Sequence, residues 1–260
     1  MLIALDVGNT TITAGLADDL GWRARWRLTT DAGRTADEYG ALFAELLDQA
    51  GIDPAEVDGA VLSSVVPALT PIVVTLCGAL FGQRALVVGP GVRTGMEVRY
   101  DPPGALGADR LVDALAARER FGAPVVVVDF GTATTFNVVD ASGAFVGGAI
   151  APGVQLAADA LAESGARLPR IDLAPVADLP VVGRTTESGM RAGTLYGYAG
   201  LVEGLLGRIE AELGAPPATV VATGGMAGLM APLVPRIGSV VPDLTLDGLR
   251  HVHALNRGRP

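Results

Sequence analysis

An α/β fold in two domains, each built on a mixed five-stranded sheet flanked by helices, is what the sequence predicts, and three observations carry it. The stretch LIALDVGNTTITAGL at 2–16 is matched by VVVVDFGTATTFNVV at 125–139, so Asp6-x-Gly8 recurs as Asp129-x-Gly131 about half a chain later. After each copy the elements follow one order, three strands and then helices alternating with strands. Finally, 50% hydrophobic and 18% charged residues describe a globular chain with a sizeable core rather than a disordered one.

The first element is an apolar strand at 2–6, and a second follows at 11–17. In the third, WRARWRL at 22–28, Trp22, Ala24, Trp26 and Leu28 share one face and Arg23, Arg25 and Arg27 the other, the period of two of a half-buried antiparallel strand. Thr35-Ala-Asp-Glu38 has capping-box spacing and opens a helix that Gly51 ends. A strand at 59–64, a helix at 69–82 and a strand at 85–88 complete the first copy. The second has strands at 124–129, 133–139 and 144–150, helical segments, a strand at 218–223 and a last helix from about 244 to 255. This order resembles the duplicated ribonuclease-H-like (actin-like) fold of actin, sugar kinases and heat-shock ATPases. The boundary is expected near Phe121-Gly122, giving domains 1–121 and 122–260.

Composition excludes several classes. A net charge of −9 argues against nucleic acid as a partner, because phosphate backbones need a basic surface. All 19 basic residues are Arg, so a P-loop lysine and a Schiff base are both ruled out. The two histidines, His251 and His253, lie near the C-terminus, which disfavours His-dependent triads and His-rich metal sites. Catalysis must therefore rest on Asp, Glu, Arg, hydroxyl side chains and backbone amides. Cys77 is the single cysteine and no basic segment precedes an apolar signal core, so a reducing, cytoplasmic location is expected. The uncharged runs 59–83 and 214–235 are long enough to span a bilayer, but Pro67, Pro71, Pro216, Pro217 and Gly224-Gly225 break them into strand, turn and helix, so no membrane span is expected.

Asp6 ends a strand beside a turn whose backbone N–H groups and Asn9, Thr10 and Thr11 side chains can hold a phosphate without lysine. Asp129, followed by Thr132, Thr134 and Thr135, repeats that arrangement. Each alone reads equally as an Asx or Ser/Thr turn between strands, but their duplication points to a paired site gripping a nucleotide's phosphates and a cation. Gly107-Ala-Asp-Arg110 opens an amphipathic helix, where Asp109 is either a functional carboxylate or one that complements the helix dipole. Gly89-Pro-Gly91 has the wrong spacing for a dinucleotide turn, and Gly224-Gly225 opens another turn after a strand. From 185 to 213, Gly189, Gly193, Gly197, Gly200, Gly204 and Gly207 line one helical face, which calls for close backbone approach either inside the domain or to another subunit.

The motifs DVGNT at the N-terminus, TADEYG at 35–40, SSVVP at 63–67, VGPG at 88–91, GADR at 107–110, DFGTATTF at 129–136 and GGAIAPG at 147–153 occur in this order in type III pantothenate kinases, and the chain resembles that family from Met1 to about Asn256. The resemblance implies a homodimer of actin-like subunits, and a dimerisation helix is expected in the second domain. The implied reaction phosphorylates pantothenate with ATP to 4′-phosphopantothenate, the first step of coenzyme A synthesis. By the same resemblance Asp6, Gly8, Asn9, Thr10 and Thr132 contact the ATP phosphates, with Mg²⁺ accompanying ATP. Asp129 holds a monovalent cation, K⁺ or NH₄⁺. Asp109 is the catalytic base, and Tyr100, Gly107, Ala108, Asp109, Arg110 and Thr186 contact pantothenate. Asn137 stands where the family usually has Asp, and Arg184-Thr185 where Lys-Asn is common. The alternatives are another kinase or phosphohydrolase of the same fold, or a non-enzymatic accessory regulator of transcription.

Overall fold

A computed structural model of the chain describes residues 1–165, 167–174, 179–214 and 219–257. The chain divides into two compact units. The first comprises Met1–Gly95, Asp101–Ala116 and the segment that starts at Leu244; the second comprises Met96–Tyr100 and Ala117–Asp243.

In the first unit β1 (Leu2–Val7), β2 (Thr11–Asp18) and β3 (Gly21–Thr29) form an antiparallel meander. The alternation read in β3 is real: Trp22, Ala24, Trp26 and Leu28 are half-buried while Arg23, Arg25 and Arg27 are exposed. Helix α1 (Ala36–Gln49) starts in the expected capping box, in which Thr35 and Glu38 satisfy each other's backbone N–H groups. Its buried face, Tyr39, Phe43 and Leu47, has the i, i+4, i+8 spacing that lays one stripe on a sheet. Truncating the fully buried Phe43 to Ala would cost about 3–5 kcal/mol. β4 (Gly59–Ser64) runs parallel to β1, and α2 (Thr70–Phe81) leads to the two-residue β5 (Leu86–Val87). The sheet order is β3-β2-β1-β4-β5. Ile3, Leu5 and Val7 join Phe43, Val73 and Leu76 in one core, so Leu2, Ala4 and Asp6 lie on the opposite face of β1. Cys77 is buried in this core, and burial pushes its thiol up to about 12, which leaves it inert. Helix α3 (Ala108–Phe121) ends the first half.

The second unit repeats the plan. β6 (Val125–Phe130), β7 (Ala133–Val139) and β8 (Phe145–Pro152) form a second meander, followed by α4 (Val154–Ser164) and α5 (Thr186–Leu213). β9 (Thr219–Thr223) pairs parallel with β6; residue 218, placed in this strand by the sequence pattern, lies outside the described residues, as do Pro216 and Pro217. α6 (Ala227–Met230) and β10 (Ser239–Val240) complete the unit. The sheet order, β10-β9-β6-β7-β8, is that of the first unit strand for strand, so the duplicated ribonuclease-H-like fold is present. Phe130, Phe136, Val154, Val202, Leu206 and Met230 build its core.

Two segments depart from a division at residue 121. The last helix, α7 (Leu244–Asn256), packs on β1 and β4 in the first unit, where Leu244, Leu246, Leu249 and Val252 are buried. Residues 96–100 join the second unit because Arg99 N–H donates to Phe145 O and Phe145 N–H to Glu97 O. Among the described residues no helix is long and apolar enough to cross a membrane.

Candidate active site

Asp6 owes its surroundings to strand register. It lies directly opposite Thr13 on β2 and Ser63 on β4. Ser63, fully buried, donates its hydroxyl to Asp6 Oδ1 at 2.6 Å. Burial raises the Asp6 carboxyl from its ordinary 3.8 to about 7; the Ser63 hydrogen bond works against that rise, and the nearby negative charge of Asp109 adds to it. The following turn is pinned by its backbone, with Gly8 N–H on Thr11 O at 3.0 Å, Thr30 Oγ1 on Gly8 O at 2.7 Å and Thr30 N–H on Thr10 O at 3.0 Å. Asn9 and Thr10 stand exposed at its tip, where their N–H groups and hydroxyl can meet an anion.

Asp109 lies in the first turn of α3, part-buried, with Oδ1 accepting the Arg110 N–H at 2.8 Å. Burial lifts its pKa, and the Arg110 amide and guanidinium pull it back. Gly107 leaves room for this carboxylate: a β-carbon at this position would crowd Asp109 and force its side chain to shift. Arg110 is buried beside it, and Ala108 is half-buried. The first unit therefore brings Asp6, Gly107, Ala108, Asp109 and Arg110 into one electrostatic neighbourhood. Two carboxylates of raised basicity, one steadied by a serine and one by a helix turn, suit proton abstraction beside a polyanion.

The second unit repeats the first motif. Asp129 ends β6 opposite Thr135 on β7 and Thr223 on β9, so each Asp of the duplicated pair has a hydroxyl residue on both sides. The turn after it is closed by Gly131 N–H on Ala133 O and by Gly153 N–H on Thr132 O, both at 3.1 Å, and Thr132 is exposed. Gly224, at φ +90, packs so tightly that a side chain there would strike the Asp129 carboxylate and the Phe130 backbone. The side chains that strand register sets beside Asp129, those of Thr135 and Thr223, carry oxygen only, which suits a hard cation. Asn137, on the same face as Thr135, is fully buried and donates Nδ2–H to Thr135 Oγ1 at 3.4 Å. Tyr100 meets Phe145 edge-on with ring centroids 6.1 Å apart, and Thr186 is the exposed first residue of α5, after the Thr185–Ser188 cap.

Sequence reasoning set Thr135 beside Asp129 but passed over Ser63, Thr13 and Thr223 as partners. A signal existed for Ser63, a polar residue closing the apolar run Gly59–Leu62, but only strand register identifies the carboxylate it serves.

A family model described as type III pantothenate kinase matches residues 2–208. The chain is 48% identical over 257 residues to the type III pantothenate kinase of Anaeromyxobacter sp. (strain K), covering 99% of this chain and 100% of the relative. It is 46% identical over 256 residues to that of Moorella thermoacetica, covering 98% and 100%. Among solved structures it is similar to a 2-dehydro-3-deoxygalactonokinase from Sinorhizobium meliloti, with TM-score 0.59, 13% identity and coverage of 100% and 97%, a likeness of fold alone.

Proposed function

We infer that the chain, which belongs to the type III pantothenate kinase family, transfers the terminal phosphoryl group of ATP to pantothenate, giving 4′-phosphopantothenate and ADP. The observation that carries the mechanism is the pairing of a Ser63-held Asp6 with a desolvated Asp109 inside one unit.

Phosphoryl transfer needs positioning and charge neutralisation more than covalent chemistry. Asp109 accepts a hydrogen bond from the primary hydroxyl of pantothenate and takes its proton as the oxygen–phosphorus bond forms. Its raised basicity suits that task, because a base works best with a pKa near the working pH. Arg110, always charged, forks onto the pantothenate carboxylate or the moving phosphoryl group. Gly107 and Ala108 complete the pantothenate contacts within the first unit. Asp6 and the turn Gly8-Asn9-Thr10 would orient the ATP phosphates and the Mg²⁺ that accompanies them. Asp129 would hold a monovalent cation, which would supply positive charge in a chain that has no lysine.

The active form is a homodimer joined through α5. Among the described residues, β-carbons at Gly193, Gly197, Gly200 and Gly204 meet nothing within 4 Å, so this part of the stripe is not spent on packing among them. Leu156 and Leu161 on α4 and Ile150 on β8 are exposed large apolar residues of the same unit.

An ADP-release assay with ATP and pantothenate, run with K⁺ and then Na⁺ as the sole monovalent cation, tests the reading. Pantothenate-dependent release that needs K⁺ is the expected result. Release without pantothenate, or none in either salt from folded protein, overturns the assignment.

A further inference from the structure

Asp113 is a buried carboxylate that the mechanism above does not use. It lies four residues after Asp109 on α3, one helical turn away on the same side, among the fully buried Val112, Ala114 and Leu115. A charge is costly in such a place unless another group holds it. One such group comes from the far end of the chain: Thr245, in the first turn of α7, donates Oγ1–H to Asp113 Oδ1 at 2.7 Å. Beside this bond the two helices touch backbone to backbone, for a β-carbon at Gly248 would collide with the Val112 carbonyl. Glycine inside a helix is unfavourable, and here it is what allows the close approach.

The other side of α7 is fastened to the sheet. Trp22 Nε1–H donates to Asp247 Oδ1 at 2.8 Å, and the Trp22 ring and Leu246 close over Gly15 on β2. At the far end Asn256 Nδ2–H donates to Arg93 O at 2.8 Å while Arg93 N–H donates to Asn256 Oδ1 at 3.2 Å. His253 lies against Gly59 on β4. The helix is thus a strut between the sheet that carries Asp6 and the helix that carries Asp109.

We infer that Thr245, through the buried Asp113, is a positioning residue for the kinase reaction, fixing the rotation and height of the α3 turn that presents Asp109. Asp113 and Gly248 are the parts of α3 and α7 through which it acts. The inference rests on Asp109 being the base. A helix is stiff over one turn, so holding the Asp113 carboxylate and the Val112 carbonyl fixes Asp109, about 6 Å along the axis. A reacting group misplaced by about 1 Å can lose on the order of 100-fold in rate, so partial release of the strut is expected to cost roughly tenfold.

The test compares Thr245→Val, which keeps the shape and removes the donor, with Thr245→Ser, which keeps the donor. For each, kcat and the KM for ATP are measured, with thermal unfolding and amide hydrogen exchange of residues 108–114. Thr245→Val is expected to lower kcat about tenfold with the KM for ATP within twofold. It should speed exchange in α3 but not in α1, and Thr245→Ser should restore both. Unchanged kcat and exchange in Thr245→Val would overturn the inference, as would an equal loss in Thr245→Ser or a rate loss explained by the unfolded fraction. Exchange is read without turnover, so a chain that releases no ADP would refute the kinase assignment while the exchange still judges the strut.

Discussion

Ser63 Oγ stands 2.6 Å from Asp6 Oδ1 and donates to it from the neighbouring parallel strand. The bond opposes two effects that favour the neutral acid, burial and the negative charge of Asp109, and leaves the carboxyl at about 7. Removing it in Ser63→Ala raises that value further. The acid limb of the kcat/KM profile should therefore move to higher pH, with activity depressed several-fold at pH 7 and largely recovered by pH 9. A limb that stays in place in a pH–rate series would show that Asp6 is not the group being titrated.

The same carboxyl sets a pH dependence of stability. With its value raised from 3.8 unfolded to about 7 folded, the native chain holds one more proton than the unfolded chain between those limits. The contribution of this group is complete below about pH 4 and is lost as pH rises through about 7. Asp6→Asn does not titrate, so in the absence of nucleotide it should melt several degrees above the parent at pH 8 and close to it at pH 4. Its turnover should be abolished. Thermal unfolding at the two pH values decides; an equal Tm at pH 8 would contradict the cost assigned to the buried charge.

Asp109→Asn preserves shape and hydrogen-bonding reach but cannot take a proton. Turnover is expected to fall by about 10²–10⁴, the range of general-base contributions, while ATP affinity measured by calorimetry stays within about twofold. Turnover near that of the parent would remove Asp109 from the base role.

A bulky charge on the bare stripe of α5 should separate the subunits. Gly197→Arg has open space around its β-carbon within one chain, so the fold should survive by circular dichroism while sedimentation shows a monomer. A parent that already sediments as a monomer would assign the stripe to something other than a second copy.

Local patterns made most of the fold legible. Thr35 and Glu38 announced α1 because a capping box is a contact between near neighbours, and the alternation of β3 follows from the pleat itself. The two Asp-x-Gly turns could be read because the duplication set them at matching strand ends. What escaped was decided by contacts between distant residues. Leu244, Leu246, Leu249 and Val252 announce an apolar helix face but not which sheet it covers. The answer lies in the missing side chain of Gly248 and in a Thr245–Asp113 bond spanning 132 positions. Ser63 sat inside a quoted motif without a role, because its partner is chosen by parallel register. β10 is two residues long, too short for any period to show.

The return of α7 to the first unit has a consequence for how the chain is made. The segment that completes that unit begins at Leu244, whereas the second unit is complete at Asp243. On the ribosome, the C-terminal half of the duplicated fold therefore has all its parts before the N-terminal half does, the reverse of the usual order of synthesis. The nascent sheet of β1 to β5 lacks the helix that packs on β1 and β4 until residues 244–256 emerge, so the unit that carries Asp6 closes after the unit that carries Asp129 has all its parts.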